Sequence, residues 1–166
     1  MADHHASVRW TRGAQPFTDA RYSRAHVWSF DGGLTVPASA SPAHVPLPLS
    51  DASAVDPEEA FVAALSSCHM LVFLHLAAKR GLRIDEYVDS PVGTVTLAAG
   101  RLTLTRVVLR PVVHLGVGTT VTEAELARLH HDAHEECFLA GAVRAEMVIL
   151  PSQTSATRPR SLSGGR

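Results

Sequence analysis

A chain of 166 residues, 46% hydrophobic and 19% charged with a formal net charge of -1, has the composition of one folded domain. A charge so near zero excludes electrostatic capture by phosphate backbones or anionic lipid, so neither nucleic acid nor a membrane surface is expected as a partner. Two cysteines are too few for a disulfide scaffold, and in a reducing compartment such a pair points to catalysis or metal binding.

The first twenty residues contain Arg9, Arg12 and Asp19 and lack the apolar run of a secretory leader. The longest apolar stretch, "MLVFLHLAA", is interrupted by His75 and too short to span a bilayer, so a cytoplasmic protein is expected. The first regular structure expected is a hairpin. β-branched and aromatic residues flank Asp31-Gly32-Gly33, which places strands near Arg21 to Phe30 and Leu34 to Ser39. Pro42, Pro46 and Pro48 then exclude both helix and central strand from "ASPAHVPLPLSDASAV", leaving a long extended connector.

The next segment carries the strongest local signals in the chain. Asp56 is a helix N-cap, Pro57 occupies N1, Glu59 completes a capping box at N3, and Gly81 stands where the helix should stop. Between Phe61 and Ala78 this helix is apolar on nearly every face, so other elements must enclose it. Alternating Val, Leu and Thr from Ile84 to Leu115, punctuated by Gly93 and Gly100, give two or three further strands. Thr122 and Glu125 open a second helix with a capping box, interrupted near Cys137, and "AEMVIL" is a last strand. Residues 1–150 are expected to form one α+β domain of antiparallel strands around buried helices, and 151–166 a disordered tail without apolar period.

Several residue groups invite a chemical reading. Cys68, inside "LSSCHMLVFL", has the surroundings of a packed small hydrophobe, whereas Cys137 follows the polar run "HDAHEE". His69 reads as a hydrogen-bonded core histidine. His131, His134 and Cys137 stand three apart on one helical face, a spacing open to zinc, although their acidic neighbours resemble a solvated surface. Gly116 and Gly118 do not make a phosphate loop, because Val121 stands where the third glycine of the dinucleotide fingerprint belongs.

Taken together, Asp56-Pro57-Glu58-Glu59, Cys68 ten residues after Glu58, Cys137 a further 69 residues on, and the closing "AVRAEMVIL" resemble the OsmC/Ohr superfamily of organic hydroperoxide reductases and their osmotically induced relatives. The resemblance implies an OsmC-like α+β fold, with antiparallel sheets around a buried central helix, in an intertwined homodimer. It also implies a thiol-dependent peroxidase acting on organic hydroperoxides, with Cys68 peroxidatic and Cys137 resolving. A small dithiol or a lipoylated protein would be the reductant, and no cofactor or metal is needed. The family's cation beside the reactive cysteine falls to Arg24, with Arg21 second, because no arginine lies between Arg24 and Arg80. Glu58 would hold that guanidinium.

The chain departs from the family pattern at Cys68-His69, where phenylalanine commonly follows the first cysteine, and at Cys137-Phe138, where proline commonly follows the second. Ten residues of straight helix span roughly 15 Å, so Glu58 and Cys68 of one continuous helix do not share a site, and the glutamate would serve the cysteine of a second copy. The competing reading is a zinc- or ligand-binding module of the same fold without peroxidase activity.

Overall fold

The computed structural model of the protein describes residues 1–155. The chain forms two compact units, one from Met1 to Phe61 and one from Val62 onward.

In the first unit, strands β1 (Ala6–Arg9), β2 (His26–Phe30) and β3 (Thr35–Ala38) pair antiparallel in that order. β2 and β3 are the expected hairpin, shorter at both ends, with Gly33 at φ 84° in the turn, a conformation that costs glycine little. β1 is not anticipated from the sequence; "ASVR" is too short and too exposed to show alternation. The proline-rich connector is tied back to the unit by its backbone: Arg24 N–H donates to the Leu49 carbonyl at 2.8 Å, Asp51 N–H to Ser39 Oγ at 3.0 Å, and Ser39 N–H to the Val55 carbonyl at 3.0 Å.

Helix α1 runs from Pro57 to Lys79. Its start is the expected capping box, with Glu59 N–H donating to Asp56 Oδ1 at 2.8 Å and Asp56 N–H donating to Glu59 Oε2 at 3.1 Å. Its end is a Schellman turn: Gly81 at φ 71° lets Gly81 N–H reach the Ala78 carbonyl and Leu82 N–H reach the Ala77 carbonyl, both at 3.0 Å. At 23 residues and a mean hydropathy of 1.8, α1 meets the length and composition of a membrane span, against the expectation from the apolar run interrupted at His75.

The second unit folds around the rest of that helix. Strands β4 (Ile84–Val88), β5 (Val92–Ala98), β6 (Arg101–Leu109) and β7 (Val112–Leu115) precede helix α2 (Glu123–Glu136), a 3-10 turn at Ala140–Ala142, and strands β8 (Glu146–Ile149) and β9 (Ser152–Ser155). They make two three-stranded sheets, β4-β7-β9 and β5-β6-β8. Phe73, Leu76 and Ala77 of α1 pack with Val113 and Leu115 of β7 and with Leu126, Leu129 and Ala133 of α2. Two to three turns earlier along α1, Val62 and Leu65 pack with Val107 and Leu109 of β6. Gly93 lets β5 lie against that first turn, because a Cβ there would meet Val62 Cγ2 at 2.5 Å.

The unit is mixed α+β, but two of its strand pairs correct the expectation of purely antiparallel sheets. β6 pairs with β8, and β7 with β9, in parallel. Both β8 and β9 follow the long excursion through α2, and a chain returning by such a crossover re-enters a sheet in the parallel sense. β9 also carries strand structure four residues into the segment expected as a tail; the remainder of that segment, 156–166, lies outside the described residues. The enclosure of α1 is one-sided within the chain: Leu65 and Phe73 are buried, while Phe61 is 39% and Leu71 61% exposed.

Candidate active site

Ser66, Cys68 and His69 occupy the middle of α1, between its two apolar packing regions. Cys137 is the C-cap residue of α2, its N–H donating to the His134 carbonyl at 3.2 Å. The two sulfurs stand 2.8 Å apart, with Cys137 Sγ donating to Cys68 Sγ. That is longer than the roughly 2.05 Å of a disulfide bond and close enough for a small closing movement to form one. The two thiols differ in setting. Cys137 is buried, and burial together with its hydrogen bond to Cys68 pushes its pKa up, whereas Cys68 is half-exposed. Cys137 is thus held as the protonated partner, its sulfur donating toward the more accessible Cys68.

His69 is wholly buried and does not face the thiols' solvent side. Its Nε2 lies 3.0 Å from Nδ1 of His130 on α2, and the two rings lie nearly parallel, 9° apart, with centroids 5.3 Å from each other. His130 in turn stacks on Phe73 at 4.3 Å. Burial holds both imidazoles well below the ordinary value, His69 at about 4 and His130 at about 3. For His69 the neighbouring His134 adds to the lowering and the Asp89 carboxylate opposes it. The pair is therefore uncharged at neutral pH. His69 Nδ1, His130 Nε2, His134 Nδ1 and Tyr87 Oη are buried without a hydrogen-bond partner among the described residues. Asp89 receives Ser66 Oγ–H at 2.5 Å and the Arg110 N–H at 2.7 Å. Burial, with Asp89 close by, raises the Tyr87 phenol above its ordinary range.

Of these residues, sequence reasoning singled out Cys68, Cys137 and His69 and missed His130, Tyr87 and Asp89. The signal available for His130 was its place on the buried face of α2 with Leu126, Leu129 and Ala133. The zinc reading gains nothing from the arrangement. His131 is exposed, His134 half-buried and Cys137 turned to Cys68, and among the described residues no three His, Cys, Asp or Glu side chains group as metal ligands.

Arg24 and Glu58 belong to the first unit. Arg24 is half-buried, its guanidinium carbon 3.8 Å from the Tyr22 ring centroid and its Nη1 donating to the Ala20 carbonyl at 3.0 Å and to the Tyr22 carbonyl. It lines a cavity of about 480 Å³ in which the rings of Trp10, Phe17, Tyr22 and His26 share the wall with the smaller side chains of Val8, Ser39, Ala40 and Pro57. Phe17 and Tyr22 stack at 4.8 Å, and Trp10 Nε1 is anchored on the Ser23 carbonyl at 2.8 Å. His26 accepts from Trp28 Nε1 at 2.9 Å, which puts its proton on Nδ1, facing the Arg24 carbonyl at 2.8 Å. Arg21 is exposed. Glu58 is half-buried and forms no ion pair with Arg24 among the described residues.

The model of the OsmC-like protein family matches residues 50–150, the stretch that holds both cysteines. An OsmC-like protein of unknown function from Vibrio cholerae O1 biovar eltor is 50% identical, with 91% of this chain and 99% of that chain covered at a TM-score of 0.87. The organic hydroperoxide resistance protein OsmC of Legionella pneumophila shares the fold at 16% identity and a TM-score of 0.63, covering 93% and 98% of the two chains. The organic hydroperoxide resistance protein OhrB of Bacillus subtilis does so at 16% identity and 0.59, covering 92% and 98%. No curated protein sequence matches the chain.

Proposed function

The chain belongs to the OsmC-like protein family, and we propose that it is a thiol-dependent peroxidase that reduces organic hydroperoxides through Cys68 and Cys137. The observation that carries this reading is the 2.8 Å approach of two sulfurs that lie 69 residues apart in sequence. Two proteins of the same fold bear the name of organic hydroperoxide resistance proteins, which supports organic hydroperoxides as the substrate class.

In the first step the Cys68 thiolate attacks the terminal oxygen of the hydroperoxide. The O–O bond breaks, sulfur is oxidised to the sulfenic acid, and the alkoxide takes a proton and leaves as the alcohol. In the second step Cys137 attacks the Cys68 sulfur, its thiol proton leaves with the displaced hydroxide as water, and a disulfide closes. A dithiol, free or on a lipoylated protein, then returns two electrons and two protons by thiol–disulfide exchange, a cycle suited to the reducing cytoplasm.

Thiolate formation needs a cation, and neutral His69 does not supply one. We assign that role to Arg24, with Glu58 as its carboxylate partner. Glu58 and Cys68 are ten residues apart on one helix, roughly 15 Å, so in this proposal the pair serves the cysteine of a second copy in a homodimer. The exposed Phe61 and Leu71 of α1 favour such a dimer, since apolar surface on a core-like helix gains from being covered. The aromatic cavity around Arg24 is suited to the organic portion of the hydroperoxide.

One equivalent of cumene hydroperoxide added to the reduced protein should remove two hydrogens from its mass, with the loss mapping to a Cys68–Cys137 peptide pair. A protein that keeps both thiols under these conditions is not a two-cysteine peroxidase.

A further inference from the structure

We infer that the buried His69–His130 pair is a positioning device for the dithiol: it fixes α1 against α2 so that the Cys68 and Cys137 sulfurs stay within bonding reach.

Cys68 and His69 are neighbours on α1, yet their contacts on α2 lie seven residues apart, Cys137 at the cap and His130 two turns earlier. Two contacts spaced along one helix and meeting at adjacent residues of another hold both the separation and the rotation of the pair. The sulfur contact alone would leave α1 free to roll about it. The histidine contact is a 3.0 Å hydrogen bond between nearly parallel rings, one of which, His130, also stacks on Phe73. His69 and His130 are both buried, so water offers no competing partner for the shared proton.

The pair works without charge. Facing it are His134 from α2, Asp89 from the segment after β4, and Tyr87 from β4, and among the described residues no Lys or Arg contributes to the electrostatics of the rings. An imidazolium beside Cys68 would stabilise the thiolate directly. A neutral pair instead acts on the second thiol step, by keeping Cys137 where it must be when Cys68 has been oxidised. His69 thus has a task distinct from that of the cation required for thiolate formation, and a reason to stand next to the cysteine. It acts through the two helices and does not itself touch the reacting atoms.

The inference rests on Cys68 and Cys137 forming a disulfide, and its deciding measurement is made without peroxide. The equilibrium constant for closing that disulfide is measured in glutathione buffers at pH 7 for the full chain and for two variants. His130→Phe keeps the ring and the stack on Phe73 but has no nitrogen. His130→Asn places a polar atom near Nδ1. The phenylalanine variant should lower the constant at least tenfold, about 30 mV in potential, and asparagine should recover most of it. Sulfenic acid formation at Cys68, followed by chemical trapping, should stay within about twofold of the unaltered protein, which a general loosening of the fold would not permit. A folded His130→Phe protein whose constant lies within twofold of the original overturns the inference. If that variant does not fold, His69→Gln, which keeps a donor near Nε2, is compared with His69→Met, and equal constants for the two overturn it equally. The two proposals fail separately. A normal constant shift with no peroxide reduction removes the peroxidase and leaves the positioning pair. Peroxide reduction with no shift does the reverse.

Discussion

The two polar clusters of this chain are built on opposite plans. Around Arg24 in the first unit aromatic rings and small side chains wall a cavity of about 480 Å³, and the neighbouring polar groups are engaged: Arg24 on two carbonyls, His26 between Trp28 and the Arg24 carbonyl, Trp10 on Ser23. Around Cys68 in the second unit the neighbouring side chains are mostly buried, the thiols face each other, and several nitrogens and a phenol lack partners among the described residues. Satisfied groups around a space select what enters by shape and apolar contact. Unsatisfied groups packed in a core carry a cost in stability that persists where the arrangement itself is needed. In the proposed peroxidase the first plan would serve binding and the second chemistry.

The contrast has measurable consequences, the largest at the thiol. Cys68→Ser should lower kcat/KM for cumene hydroperoxide by about 10³-fold or more, the scale expected when an essential nucleophile is removed, with little change in thermal stability. Residual turnover within tenfold of the original would locate the reaction elsewhere. Arg24→Ala should act less severely, because it removes a cation and not the nucleophile. An opposite charge lowers a thiol pKa by about 1 to 2 units, so its loss should reduce kcat/KM at pH 7 about 10- to 100-fold. The sign of the pH effect follows: without the guanidinium the thiolate forms later, and the rise of the rate with pH moves upward by the same amount. An unchanged pH profile would confine Arg24 to packing on Tyr22.

The histidine pair gives a stability effect that the Arg24 cluster does not. In the unfolded chain both imidazoles bind protons as pH falls through 6.5, while in the folded chain they stay neutral to about 4 and about 3. The unfolded state therefore holds more protons in this window, so stability is level above about pH 7 and declines below it, by at most about 1.4 kcal/mol per pH unit for each ring. Urea midpoints measured from pH 7.5 to 5.5, above the carboxylate range, should fall steadily, and His69→Leu with His130→Phe should flatten the slope. A slope untouched by that double change would mean that the rings are solvated.

The same division marks what the sequence disclosed. Local chemistry was legible: Asp56 and Glu59 at the start of α1, Gly81 at its end, the Thr122–Glu125 box of α2 and the glycine turn between β2 and β3 all act within a few residues. The cysteines were legible through resemblance, because their spacing is a pattern that a family repeats. The His69–His130 bond was not, since 61 residues separate its ends and nothing in either local run encodes the meeting. β9 escaped for a different reason. "SQTS" has no apolar alternation, and its order comes from the backbone ladder it shares with β7, not from side-chain burial.

The smallest expected effect lies at the start of the helix that runs from one unit into the other. Asp56→Ala removes the acceptor for Glu59 N–H and leaves Glu59 Oε2 without its fixed counterpart. Losing such a cap costs about 1 kcal/mol, which in a chain of this size lowers the melting temperature by about 2 to 4 °C. What matters is where that loss is felt. Asp56 caps the end of α1 that carries Glu58, twelve residues before Cys68, and fraying is confined to the first turn or two. The variant should therefore melt slightly earlier while closing its Cys68–Cys137 disulfide with an unchanged equilibrium constant. If the constant moved with the cap, the sulfurs would be positioned by the helix as a whole, and the His69–His130 contact would lose its separate role.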